Sequence, residues 1–216
     1  MRKLLLMLCL LALPCYAQDF EDYYKSLLHY EYTLQIPPQP RKDLIKVDEG
    51  YNNYRYVPNY MYLNNLPKSK MWDDYIKLKL KEYKIINKDK NIPTNYHYEG
   101  ITYDIKYVPK WIIQRRKFLT KYPDFPLRNV IEDEIYMLLI DLMDDKNQVW
   151  IYTQYSTQIN ENIIKYYKYF LKHSNKDTFE YEIINKWYCL LQENNFKMTI
   201  PVTNYLHSIE YRYQHE

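Results

Sequence analysis

The sequence predicts a helix-dominated α+β fold: a Tyr/Pro-rich mixed N-terminal part with one or two strands, then an all-α C-terminal bundle of about four helices. Three observations carry this. The 216 residues include only 2 Gly, where average usage of about 7% gives roughly 15. Few positions are therefore free to take the positive φ that tight hairpins and phosphate-cradling loops need. Ile101 to Val108 is the clearest strand, with Ile101, Tyr103, Ile105 and Tyr107 on one side and Thr102, Asp104 and Lys106 on the other. From Pro109 onward apolar residues recur at helical spacing almost to the end. Together these exclude a many-stranded sandwich or barrel, a P-loop and a dinucleotide-binding fold. At 47% hydrophobic and 26% charged the composition is globular, and the length suits one domain with an adequate core.

Residues 1–17 read as a signal peptide. Arg2 and Lys3 make a basic start, Leu4 to Leu13 an apolar run of signal-peptide length, and Cys15-Tyr16-Ala17 a cleavage site ending in a small residue. Pro14 in front of Cys15 disfavours lipidation. Export, to a periplasm, is the expected localisation, and the mature chain 18–216 forms one domain, mixed over 18–123 and helical over 124–216. Cleavage removes Cys9 and Cys15 and leaves Cys189 alone, so stability must come from packing rather than a disulfide. Cys189 itself reads as a small buried hydrophobe.

The elements follow in order. Phe20, Tyr24, Leu27 and Leu28 stand at helical spacing, and Pro37, Pro38 and Pro40 force an extended connector. Residues 51–67 hold five tyrosines among Asn and Pro turn formers, so this segment reads as irregular and aromatic, with its tyrosines the likeliest in the chain to be exposed. Between Ser69 and Ile86 two periods compete. Trp72, Tyr75, Ile76, Leu80 and Tyr83 fall on one helical stripe, whereas 76–81 alternates Ile/Lys/Leu/Lys/Leu/Lys. The longer stripe favours helix. The strand at 101–108 then needs a partner, which 54–62 or 76–81 supplies.

Pro109 opens a helix with Trp111, Arg115, Phe118 and Tyr122 on its stripe, stopped by Pro123 and Pro126. Asn129 with Glu132 resembles a capping pair for a helix carrying Ile131, Ile135, Leu138, Leu139 and Leu142. The pattern continues over 148–172 through Tyr152, Tyr155, Ile159, Ile163, Tyr166 and Phe170. Asp177 with Glu180 caps the next helix, which bears Phe179, Ile183, Trp187, Leu190 and Leu191, and Pro201 opens the last.

Charge is uneven. Residues 68–121 carry a net +8 and residues 122–216 a net −5. The basic stretch from Lys106 to Lys121 contains Lys106, Lys110, Arg115, Arg116, Lys117 and Lys121 with no acid between them. An exported chain does not meet nucleic acid, so an acidic partner protein or an anionic envelope polymer fits best. The rival reading docks these charges on the protein's own acidic helix, Glu132 to Asp145. Lys110, Arg116, Lys117 and Lys121, with Tyr54, Tyr56, Tyr60 and Tyr62, are the candidate partner-binding residues, since Tyr gives rigid amphipathic contact area.

Catalytic signals are sparse. The tripeptide His-Tyr-Glu occurs at 29–31 and 97–99, and in a strand positions i and i+2 share a face. No third ligand stands at a fixed spacing, so no metal site or cofactor is expected. Glu134 and Asp141 lie seven apart on one helix face and, with His97 and Glu99, are the weak catalytic candidates. The sequence therefore reads as a secreted, non-enzymatic binding protein that binds or neutralises another secreted protein. The alternative is an envelope polysaccharide or peptidoglycan hydrolase using carboxylates and a histidine.

Overall fold

The computed structural model describes residues 20–29, 35, 37, 39–50, 53–88, 104–144 and 157–215. The chain divides into two compact units, Met1–Thr102 and Tyr103–Glu216. The second, helical unit thus begins before the compositional boundary at 123.

In the first unit, helix α1 (20–29) buries Phe20, Tyr24, Leu27 and Leu28 as their spacing predicts. Strand β1 (Leu44–Gly50) pairs antiparallel with β2 (Asn53–Pro58), Leu44 opposite Pro58 and Asp48 opposite Tyr54, with an irregularity between Asp48 and Gly50. The hairpin leads into the short helix α2 (Tyr60–Leu63), whose cap Asn59 accepts a hydrogen bond from the Tyr62 amide at 3.2 Å. Helix α3 (Lys70–Lys88) decides the competition between periods. Trp72, Tyr75 and Ile76 are all buried on its stripe, and Lys77 pairs with Asp73 one turn back at 2.7 Å.

The tyrosines here do the work of Phe. The Tyr24 ring lies 5.2 Å from Trp72 and 5.7 Å, edge-on, from Tyr75, and its hydroxyl meets those of Tyr60 at 3.2 Å and Tyr75 at 3.4 Å. A buried phenol needs such a partner because an unmet hydroxyl in an apolar core costs free energy. At the edge of this cluster Asp43 accepts from Arg41 Nε at 2.9 Å and Nη2 at 2.7 Å, and from the Tyr23 hydroxyl at 2.5 Å.

The second unit opens with a correction. Residues 104–108, expected in a strand, instead form a 3₁₀ turn (Ile105–Tyr107) running into helix α4 (Val108–Lys121). The Asp104 carboxylate accepts from the Lys106 amide at 3.0 Å, and Pro109, which has no N–H to give a ladder, sits in the first helical turn. The residues buried there are Ile105 and Val108, three apart, and Tyr107 stacks on Trp111, four apart. Both spacings are helical rather than alternating. Residues 101–103, the other end of that expected strand, lie outside the described residues.

Helices α5 (Arg128–Met143), α6 (Glu161–His173), α7 (Phe179–Glu193) and α8 (Ile200–His215) follow. α4 packs on α5 and α6, α6 on α7, and α5 and α7 on α8. Their shared core holds Ile112, Ile135, Leu139, Tyr167, Phe170, Ile184 and Trp187, all fully buried, and the Tyr167 hydroxyl donates to the Leu142 carbonyl at 3.0 Å.

Several boundaries differ from expectation. α6 starts at Glu161, capped by Asn160, because 157–159 runs extended beside 196–198: Ile159 N donates to Phe196 O at 2.8 Å and Met198 N to Thr157 O at 2.9 Å. Ile159 is buried from that bridge, not from a helix, and 148–156 lies outside the described residues. The caps preceding α5 and α7 are Leu127 and Thr178, neither with a side-chain cap hydrogen bond. The Thr178 hydroxyl is spent on Asn175 O at 2.8 Å, and Asn175 Oδ1 holds the Asp177 amide. Cys189 is exposed, two positions round α7 from the buried Trp187. After α7, Asn195 and Phe196 take φ of 53° and 55°, the left-handed turn that helix ends commonly give to glycine. Among the described residues no helix is long and apolar enough to cross a membrane.

Candidate functional site

α4 concentrates the basic stretch, and its faces divide the charges. Trp111, Ile112, Phe118 and Leu119 are buried along the stripe, and Arg115 with them, its side chain only 5% exposed. Arg115 Nε donates to Glu134 Oε2 on α5 at 2.8 Å. Arg116 turns to α7, where Nε and Nη2 grip the two oxygens of Glu180 at 2.8 and 3.1 Å. The Glu180 side chain is only 2% exposed. The guanidinium also lies 5.2 Å over the Phe179 ring and 3.8 Å from Glu132. Such planar, forked pairing suits Arg and not Lys. Lys106 pairs with Asp104 at 2.5 Å.

Lys110, Lys117 and Lys121 remain on the outer side, all exposed, with Lys121 Nζ 5.0 Å from the Tyr122 ring. Both readings of the basic stretch therefore apply, to different residues: the arginines dock internally and three lysines face outward.

Beside these lysines lies a cavity of about 320 Å³, set among α4, the end of α6 and the start of α7. Ile113, Phe170 and the Arg116–Glu180 pair are among the residues that line it, Phe170 itself fully buried. Lys117 and Lys121, both exposed, line it together with His173, Ser174 and Asn175. His173 Nδ1 is bound to the Tyr169 carbonyl at 2.7 Å, and Ser174 Oγ to the Phe170 carbonyl at 2.6 Å. Three of the four basic residues singled out from sequence thus come together at one concavity, while Lys110 sits further toward the start of the helix. The α6–α7 residues at this site were missed. On α4 the available signal was Ile113, Lys117, Thr120 and Lys121 recurring at i, i+4, i+7 and i+8; nothing local to 170–180 pointed to it.

The tyrosine candidates belong to the first unit. Tyr60 is 8% exposed and a core member, Tyr56 half-buried, and Tyr62 37% exposed beside the exposed Met61; Tyr54 lies on β2. The expectation that these rings are the most exposed thus fails at Tyr60, whose hydroxyl is needed by Tyr24.

Of the catalytic candidates, His97 and Glu99 lie outside the described residues. Glu134 is committed to Arg115, and Asp141 follows it on α5 after a rise of about 10 Å along the axis. His29 Nε2 meets Gln35 Oε1 at 3.2 Å. Among the described residues no three His, Cys, Asp or Glu side chains gather as a metal set. No family model, curated protein or solved structure matches this chain, so the site is read from its own geometry.

Proposed function

We propose that the protein is exported and acts without catalysis, binding an acidic partner protein on the outer side of α4. One observation carries the reading: the helix commits Arg115 to the half-buried Glu134 and Arg116 to the buried Glu180 while presenting Lys110, Lys117 and Lys121 to solvent. Exposed lysines contribute little to folding, whereas a group of like charges on one rigid face speeds encounter with an oppositely charged surface. Neutralising a secreted protein needs only such a surface. Export rests on the leader at 1–17.

Capture from an envelope extract by immobilised protein tests the reading. The expected result is an acidic protein retained at about 0.1 M salt and released near 1 M, where the Debye length falls from about 10 Å to about 3 Å. Retention must also be lost when Lys110, Lys117 and Lys121 are reversed to Glu. Capture that ignores both salt and charge reversal would overturn it.

A further inference from the structure

We infer that the cavity among α4, α6 and α7 takes a small phosphomonoester, a phosphate joined to a short hydroxylated body. Its volume of about 320 Å³ stands at the lower end of ligand pockets, about 300 to 1,000 Å³, and is well above the size of a bare phosphate. The charge that draws the anion is Lys117, whose ammonium is exposed at the cavity and has no ion pair among the described residues. Lys121, with the Tyr122 ring 5.0 Å from its Nζ, is not needed for it. Arg116 is already spent on Glu180, the acid in the lining. That side chain is 2% exposed with both oxygens taken, so its charge is answered inside the protein.

Two more groups come from the end of α6 and the link to α7. Asn175 Oδ1 accepts from the Asp177 amide at 3.2 Å, which leaves the side-chain NH₂ to donate. His173 Nδ1 lies 2.7 Å from the Tyr169 carbonyl oxygen. A carbonyl only accepts, so Nδ1 carries the hydrogen and Nε2 is left to meet the ligand. It accepts from the P–OH of a monoanion or, once protonated, donates to the dianion. A phosphomonoester, with a second pKa of about 6, offers both forms.

Lys117, His173 and Asn175 thus answer three oxygens from two elements. A carboxylate has only two to give, so a tetrahedral anion uses the set more fully. The remaining lining selects the body. Thr120 Oγ1 donates to Arg116 O at 2.9 Å and Ser174 Oγ to Phe170 O at 2.6 Å. With their hydrogens spent these oxygens only accept, which suits a ligand that brings its own hydroxyls. The Ser174 amide also serves Phe170 O at 2.9 Å, and the first turn of α7 brings its positive end to the same cavity. Lys117 also belongs to the proposed partner face, but this ligand does not depend on that reading, since it is tested on the protein alone.

Titration of the full chain with glycerol 3-phosphate, followed by NMR amide shifts and calorimetry, tests the site. The expected result is saturable binding with shifts centred on 113–121 and 173–180. Affinity should fall about tenfold or more for glycerate, for Lys117→Gln and for Asn175→Asp, the size of one lost charge-assisted contact. Asn175→Asp keeps the oxygen that holds the Asp177 amide and puts a like charge in place of the donor. Inorganic phosphate should bind about fivefold or more weakly, the size of one or two hydroxyl contacts. Lys165→Gln removes the same charge from an exposed position on α6 outside the lining, and should bind as the parent does. No saturable binding of glycerol 3-phosphate, shifts scattered outside those segments, equal affinity for glycerate, or an equal loss in Lys165→Gln overturns the site. Equal affinity for inorganic phosphate overturns the hydroxylated body. None of these outcomes bears on capture of an acidic protein.

Discussion

Arg116 and Glu180, 64 positions apart in sequence, are locked by two hydrogen bonds of 2.8 and 3.1 Å that tie the middle of α4 to the first turn of α7. The Glu180 side chain is almost without solvent contact, so removing Arg116 leaves a desolvated carboxylate, whereas Arg116, 16% exposed, keeps Glu132 at 3.8 Å when Glu180 is removed.

Arg116→Ala is expected to cost about 3 kcal/mol or more, the usual penalty for orphaning a buried charge, and Glu180→Ala less than that, because Arg116 keeps Glu132 and some solvent. The double replacement Arg116→Met/Glu180→Leu should recover most of that loss, since an apolar pair of similar volume is often near neutral. Urea unfolding of the three variants checks this. Single losses below about 1 kcal/mol would show that the pair behaves as a surface bridge.

Core packing gives a second expectation. Leu138 and Trp187 are buried, so Leu138→Ala should cost about 2 to 5 kcal/mol and Trp187→Ala about 3 to 5. Trp187 Nε1 has no hydrogen-bond partner among the described residues. Trp187→Phe removes that unmet donor together with some volume, and should cost clearly less than the alanine. Equilibrium unfolding measures all three, and equal losses for Phe and Ala would contradict the assignment.

Two pH limbs follow from the carboxylate and phenol environments. The Arg41 guanidinium, aided by the Tyr23 hydroxyl, holds Asp43 below its ordinary value of 3.8. Its stabilisation is complete above that value and is lost as pH falls through the lowered one, so Asp43→Asn should flatten the acid limb of stability. On the alkaline side burial pushes Tyr205 up to about 12. Its contribution holds below about 10 and disappears as pH climbs toward 12, so Tyr205→Phe should flatten that limb. Stability profiles from circular dichroism report both, and unchanged limbs in either variant would remove the corresponding group from the account.

How far the fold is legible in the sequence differs element by element. The stripe of α5 stands out because Ile131, Ile135, Leu138, Leu139 and Leu142 are all buried, and on α3 the spacing of Trp72, Tyr75, Ile76, Leu80 and Tyr83, the first three buried and the last two half-buried, outweighs the Ile/Lys/Leu alternation at 76–81. Over 104–108 the alternation does not make a strand because tyrosine serves both periods, while two local facts, an Asp104 side-chain cap and Pro109, act at single positions. The sequence reading does not include β1 and holds β2 only within the broader 54–62 stretch, since a two-stranded ribbon offers a short apolar pattern, its buried members among the described side chains being Leu44, Val57 and Pro58. Cys189 sits among apolar neighbours in sequence yet falls on the open side of α7. At the candidate site the exposed lysines of α4 could be read from its stripe. The partners of Arg115 and Arg116 could not, because Glu134 and Glu180 reach them through tertiary packing.

Export yields a further expectation. Protein recovered from the envelope fraction should have an intact mass beginning at Gln18 with Cys189 reduced. Retention of Met1, or a lipid on Cys15, would contradict it.

The central claim is that α4 uses its arginines to hold the fold and its lysines to meet a partner. The unfolding free energy of two charge-removal variants tests it most directly. Lys110→Gln/Lys117→Gln/Lys121→Gln should stay within about 1 kcal/mol of the parent, as surface substitutions do. Arg115→Gln/Arg116→Gln should lose about 3 kcal/mol or more, with Glu180 left buried and unpaired. A lysine variant as unstable as the arginine variant would mean that the outer charges also belong to the fold, and would contradict the account.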